Sequence, residues 1–182
     1  MSGFFGIVRE LSVKGLKVIF DGELYKQKKL KEILGYTDAA SDEELVIASY
    51  IKWGADFINH LDGSFRIAIY DKKKLYLFRD RFGLKSLFFM HKGGKFIFAS
   101  TIKELTPYLD KVSMNKDALL SYLSFLAPTA PYTFFDGIYK LGSSEYLIFD
   151  GQKYEIKEYF NLLDAKSNII TDRDEAIYML EN

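Results

Sequence analysis

The chain has no cysteine, which excludes a disulfide framework, a thiolate nucleophile and a thiolate metal site. It has two histidines, His60 and His91. Neither belongs to a ligand-spaced cluster, so no metal site is expected and both read as ordinary surface or turn residues. No sign of charge dominates: 25 basic residues balance 25 acidic ones, which favours neither nucleic acid nor an anionic membrane surface as a partner. No run approaches eighteen consecutive apolar residues, and the start, MSGFFGIVRE, lacks a basic region followed by a long apolar segment. A cytoplasmic protein that does not enter the membrane is expected. There is no glycine-rich loop carrying Gly-Lys-Ser/Thr, so nucleotide chemistry within this chain is not expected, nor any cofactor.

What is present points to a β-rich core. A length of 182 residues suits about one domain, and 48% hydrophobic with 16% aromatic residues fits a compact, aromatic-rich interior. The stretch around which the chain is organised runs from Asn59 to Thr101. Ser64 to Asp71 alternates and is β-branched, Lys72 to Lys74 is a polar turn, and Leu75 to Arg79 is apolar again. Arg79-Asp80-Arg81-Phe82-Gly83 then forms a kink whose charged residues are expected to pair locally. Leu84 to His91 and Lys95 to Ala99 flank Lys92-Gly93-Gly94, where glycine permits positive φ. An antiparallel meander is the expectation.

Local signals place the remaining elements. Gly3 to Val8 reads as an interior strand, and Leu16 to Phe20 as an alternating strand after a turn at Lys14-Gly15. Asp21-Gly22 reads as a turn in which Asp21 caps a helix from Leu24 to Leu34. Lys26, Lys28, Lys29 and Lys31 form its solvated face beside an apolar stripe. Ser41-Asp42-Glu43-Glu44 is a capping box opening a helix from Leu45 to Trp53 that ends at Gly54. Asn115 caps a helix to about Phe125, while a helix at Thr101 to Leu105 stopped by Pro107, and a hairpin of Tyr146 to Phe149 with Tyr154 to Tyr159 across Asp150-Gly151, are what the family resemblance carried by the motifs below implies.

As strings, LDGSFRIAIYD, LFRDRFGLKSLFF and GGKFIFASTIKEL, in that order and spacing, resemble the amino-terminal glutamine amidotransferase domain of asparagine synthetases, of the class II, amino-terminal-nucleophile type. The likeness covers Gly3 to Phe160, with one large gap before Asp21. It implies an α+β fold, a four-layer αββα sandwich of two mostly antiparallel sheets with flanking helices.

The resemblance also places the site. In that family the second residue is a cysteine, exposed by methionine removal, whose own α-amine is the base for attack on the glutamine amide. Here it is Ser2. Asp21-Gly22-Glu23 stands where the family has Asn-Gly-Glu, with the asparagine amide and the glycine nitrogen donating to the oxyanion, so Asp21 replaces a donor by an acceptor. Asp42 stands where an aspartate holds the α-amino group of glutamine, and Glu23 completes the vestigial pocket. The arginine turn that would hold the α-carboxylate is missing, since only fourteen residues separate Gly6 from Asp21.

These departures imply a degenerate, catalytically silent glutaminase-like domain at residues 1–165. Residues 166–182 read as a linker and the first helix, Arg173 to Leu180, toward a synthetase domain that this sequence does not contain. Its expected role is as a structural or interaction module, docking onto such a synthetase domain or onto a second copy of itself. The alternative is an active hydrolase using Ser2, or an engineered cysteine-to-serine form of an active glutaminase that supplies ammonia for ATP-dependent amide synthesis. The mass of the purified amino terminus separates these, because activity of this type needs Met1 removed.

Overall fold

The computed structural model describes residues 5–8, 15–36 and 39–164. They form two sheets, with every strand pairing antiparallel. The four-stranded sheet has the order β1 (Phe5–Val8), β6 (Lys95–Ala99), β5 (Phe88–Lys92), β7 (Tyr139–Lys140). The five-stranded sheet has the order β2 (Lys17–Leu24), β3 (Gly63–Asp71), β4 (Lys74–Arg79), β8 (Glu145–Phe149), β9 (Tyr154–Glu158).

Alternation along the strands divides the apolar residues between layers. Ala68, Leu75, Leu77, Leu147 and Phe149 of the larger sheet meet Phe89, Phe96 and Phe98 of the smaller one, and this is the core between the sheets. The opposite face of the larger sheet, with Phe65, Ile67, Ile69 and Phe78, is covered by α1 (Gln27–Leu34) and α2 (Asp42–Trp53). The outer face of the smaller sheet buries Met90, Ile97 and Ala99 against Leu105 and Ile138. Its cover is two short 3-10 turns, Ile102–Glu104 and Thr106–Tyr108, and the segment around Phe135. The expected α+β architecture of two stacked antiparallel sheets with helices outside is present.

Several local expectations change. The central stretch is not one meander but two hairpins in different sheets, β3–β4 in the larger and β5–β6 in the smaller. The kink is the crossover between them. Arg79 and Asp80 are both buried, yet they do not form a hydrogen-bonded pair with each other. They bind the turning backbone, whose amides and carbonyls leave the sheet ladder at that point and need partners.

The first strand pairs as expected, with Phe5 opposite Ala99, but it lies at the edge of its sheet rather than inside it. Asp21 does not cap a helix. Strand β2 pairs with β3 over all eight of its residues, so Asp21, Gly22 and Glu23 are extended, and α1 starts only at Gln27 behind Lys26, which offers no side-chain cap. Residues 101–108 make two 3-10 turns with Pro107 inside the second, where its missing N–H costs nothing. His91 sits within β5, edge-on to Phe149 at 5.2 Å, while His60 stacks on Trp53 at 4.0 Å.

The caps at Ser41 and Asn115 are as expected: Ser41 and Glu44 bond reciprocally, and Asn115 accepts from the Ala118 amide at 3.0 Å at the start of α3 (Lys116–Phe125). Among the described residues no helix is long and apolar enough to cross a membrane. The expected helix from Arg173 to Leu180 lies outside the described residues, as does the turn residue Lys14.

Candidate active site

The inner face of the larger sheet is apolar along most of its length and ends in charge. Asp21 on β2 lies directly across from Arg66 on β3, and Arg66 directly across from Arg79 on β4. A row of three ionised side chains therefore closes the core between the sheets at the end where the crossover loop passes.

Arg66 donates to the Asp21 carboxylate and, through Nη1, to the Ser86 carbonyl at 2.7 Å. Lys85, brought in by the crossover loop, places its ammonium 3.4 Å from the other Asp21 oxygen. Both Asp21 oxygens are thus engaged by cations. The Asp21 charge is therefore offset locally.

Beside this pair, Arg79 donates to the carbonyls of Lys85 at 2.7 Å and Leu141 at 2.5 Å, and to that of Gly83. Burial lowers its pKa, and the nearby charges of Asp80 and Glu145 oppose that shift. Asp80 accepts from the amides of Phe82, Leu84 and Lys85 at 3.1, 2.9 and 3.0 Å. The two residues hold the loop that delivers Lys85 to Asp21.

Gly22 follows Asp21 with no room for a side chain, since a Cβ there would run into the Ser64 carbonyl and the Phe65 backbone. Glu23 is exposed at the same end of β2. Asp42, at the first turn of α2, accepts from the Leu24 amide at 2.9 Å and from Gln27 Nε2 at 2.7 Å. Its two oxygens clamp the end of β2 to the start of α1. Asp21, Gly22 and Glu23 are thus consecutive near the end of β2, and Asp42 binds the amide of its last residue, but Asp21 faces the core between the sheets whereas Asp42 belongs to α2 on the opposite face.

Ser2 lies outside the described residues. The polarity of β1 nevertheless bears on it: Phe5, the first described residue, is level with Ala99 and hence with Phe88, at the end of the smaller sheet that adjoins Ser86 and Lys85.

Sequence reasoning missed Arg66 and Lys85. A signal existed for the first, because Arg66 shares the strand parity of Ala68, a core residue between the sheets, and a charge at such a position demands a buried partner. Nothing local pointed to Lys85. Among the described residues no cluster of histidine, cysteine, aspartate and glutamate could hold a metal ion.

Two antiparallel sheets stacked with helices outside are the class of fold used by amino-terminal-nucleophile amidotransferases. Among solved structures, glutamine phosphoribosylpyrophosphate (PRPP) amidotransferase from Bacillus subtilis superposes with a TM-score of 0.53 over 84% of this chain and 30% of that one, at 16% identity. The glutamine amidotransferase domain family matches residues 10–160, and the chain belongs to that family. Putative asparagine synthetase [glutamine-hydrolyzing] 2 of Methanocaldococcus jannaschii is 32% identical over 157 residues, 83% of this chain and 30% of that protein. Asparagine synthetase [glutamine-hydrolyzing] 3 of Bacillus subtilis is also 32% identical, over 82% of this chain and 26% of its own length. The chain spans less than a third of the length of these relatives, and it is a glutamine amidotransferase-like domain of the asparagine synthetase family.

Proposed function

We propose that this domain no longer hydrolyses glutamine and acts as a cytoplasmic structural or interaction module of an asparagine-synthetase-like protein. Residues 1–165 form the glutaminase-like unit and residues 166–182 lead toward a synthetase domain. A synthetase domain, or a second copy of the chain, is its partner.

The observation that carries this reading is the state of Asp21. Acyl transfer from glutamine builds negative charge on the amide oxygen, and stabilisation requires donors aimed at it. Removing one such donor costs on the order of 100 to 1000-fold in rate. At Asp21 the side chain is an acceptor already held by Arg66 and Lys85. Asp42 already accepts from the Leu24 amide and from Gln27, so an incoming ammonium would have to share its carboxylate with these donors. Ser2 in place of cysteine and the missing arginine turn weaken nucleophile and carboxylate binding independently.

The test is ammonia release from glutamine by the wild-type chain and by Ser2→Cys, with the amino-terminal mass of each measured to establish removal of Met1. Neither protein is expected to exceed the buffer rate. Turnover in either establishes instead an active hydrolase working from position 2.

A further inference from the structure

A groove of about 330 Å³ runs between α1 and the 3-10 helix Gly54–His60 that follows α2, and it shares no residue with the Asp21 row. Buried Leu30 and half-buried Trp53 line it together with Ile33 and Tyr25, whose side chains are exposed. His60 lies parallel to Trp53, with ring centres 4.0 Å apart and 13° between the planes, so the two form one aromatic slab. Both ends are tied. Lys52 donates to the Ile33 carbonyl at 2.8 Å and lies 5.3 Å from the centre of the Trp53 ring, while Lys26 reaches Asp62 at 3.1 Å. A concave, mostly apolar site of this volume, formed in advance and edged by a few polar groups, is of the kind that takes a small molecule.

The charges at its mouth decide which kind. Lys26 is held in the left-handed conformation, φ 51° and ψ 35°, directly before α1, where glycine would sit without strain. Strain of this sort collects at ligand sites, and here lysine sets an ammonium at the rim. Its bridge to Asp62 is weak, because the Lys26 side chain is 83% exposed. Asp62 has a second cation, Arg81, at 3.7 Å, so Lys26 can turn to a ligand without leaving that carboxylate alone. Lys29 lines the same mouth and makes no ion pair among the described residues. Asp56, the other carboxylate nearby, is turned to His60 and Asn59.

We propose that this groove binds a small planar aromatic molecule bearing one carboxylate, its ring against the Trp53–His60 slab and Ile33 and its carboxylate at Lys26 and Lys29. An aromatic wall by itself would also suit a cation, but two lysines at the mouth repel one. Asp62 disfavours a ligand of higher negative charge. The proposal holds whether or not the domain hydrolyses glutamine.

Trp53 is the only tryptophan, so its indole N–H gives a single, unambiguous NMR signal from within the groove. Titration of the 182-residue chain with 2-naphthoate should move that signal saturably, with a dissociation constant of about 1 mM or lower for a ligand of this size. The uncharged 2-naphthylmethanol should bind at least about 10-fold more weakly, because it forfeits the charge-assisted contacts, and 2-naphthylmethylammonium more weakly still. Lys26→Gly, which keeps the backbone conformation and removes the ammonium, and Lys29→Gln should each weaken 2-naphthoate about 5-fold. Lys153→Gln, in the β8–β9 turn, should leave it unchanged. Nuclear Overhauser contacts from the probe ring to the Ile33 methyls give a second measurement that depends on no variant.

No saturable shift of the Trp53 signal up to about 10 mM probe overturns the proposal, and a groove already filled by another part of the chain produces that same result. Equal affinity for the three probes overturns it, as does binding that both lysine variants leave intact. Probe contacts that centre elsewhere than Ile33 and Trp53 overturn it too. Ammonia release from glutamine is read separately, and it decides the silent-domain reading without bearing on the groove.

Discussion

Asp80 has no access to water, and three amides converge on its carboxylate. Its own backbone is engaged as well: its N–H donates to the Phe65 carbonyl, and its carbonyl accepts from Gly83 and Ser144, each at 3.1 Å. Truncation to alanine strands three donors in a segment that has left the sheet ladder, and each buried donor without a partner costs about 1–3 kcal/mol. Phe82 and Leu84 have exposed side chains, so water can reach part of this loop and the penalties will not sum in full. Asp80→Ala should lose about 3 kcal/mol, and Asp80→Asn, which keeps one acceptor oxygen, about half as much. Urea unfolding at constant m-value reads both. An alanine variant within 1 kcal/mol of wild type would show that the loop is held by other contacts. The sequence carried a trace of this role, since charges between apolar strands are conspicuous. What it could not show is that Arg79 and Asp80 serve the backbone, because their partners include Leu141, 62 positions away. The same limit hid Lys85 at Asp21, a contact between residues 64 apart.

At the scale of elements, legibility followed how local the determining contacts are. The capping box at Ser41 was readable from four consecutive residues, and it is present: the Glu44 amide donates to Ser41 Oγ at 3.3 Å, and Glu44 Oε2 accepts from the Ser41 amide at 2.8 Å. That backbone bond, and then the Ser41 hydroxyl, hold the Glu44 carboxyl below its ordinary range. Ser41→Ala should destabilise the domain by about 1 kcal/mol. Lys26→Ala, at the start of α1 where no side-chain cap exists, should cost less. Thermal or urea unfolding of the two variants checks the order, and an equal loss would mean that the box contributes nothing specific. By contrast, the strands of the central stretch were placed well along the chain but not in space. Apolar alternation in Ser64–Asp71 and Lys95–Ala99 is the same whether the hairpins share a sheet or face each other, and only the crossover at Asp80 decides between them. Asp21-Gly22 was misjudged for a related reason. Its turn propensity is real, but eight consecutive pairs with β3 outweigh it.

At the scale of the molecule, the two cores share a pool of tyrosines whose hydroxyls the fold keeps protonated. Burial raises the Tyr70 hydroxyl to about 12. Burial, reinforced by the bond it donates to Asp71 at 3.0 Å, raises Tyr50 further, and burial also raises Tyr159, whose hydroxyl donates to the Arg79 carbonyl at 2.7 Å. An unfolded chain releases these protons near pH 10. The folded pKa therefore lies above the unfolded one, so the stabilisation is fully present below about pH 10 and is lost as pH rises toward the folded value. Each such tyrosine contributes a slope of at most about 1.4 kcal/mol per pH unit. Lys140 works in the opposite sense, because burial and then Arg79 lower its pKa, and a lysine that sheds its proton more readily when folded favours the fold as pH rises. The net profile alone is therefore ambiguous, but a pairwise comparison is not. Tyr70 owes its shift to burial and, among the described residues, shows no hydroxyl hydrogen bond to a side chain, so Tyr70→Phe removes the titration without removing a described partner. Urea midpoints of wild type should hold from pH 7 to about 9 and fall between about pH 10 and 12, and those of Tyr70→Phe should fall less steeply over the same interval. Parallel profiles for the two proteins would mean that the Tyr70 hydroxyl meets water in the folded state, and that the contact between the sheets beside Phe98 is looser than the structure shows.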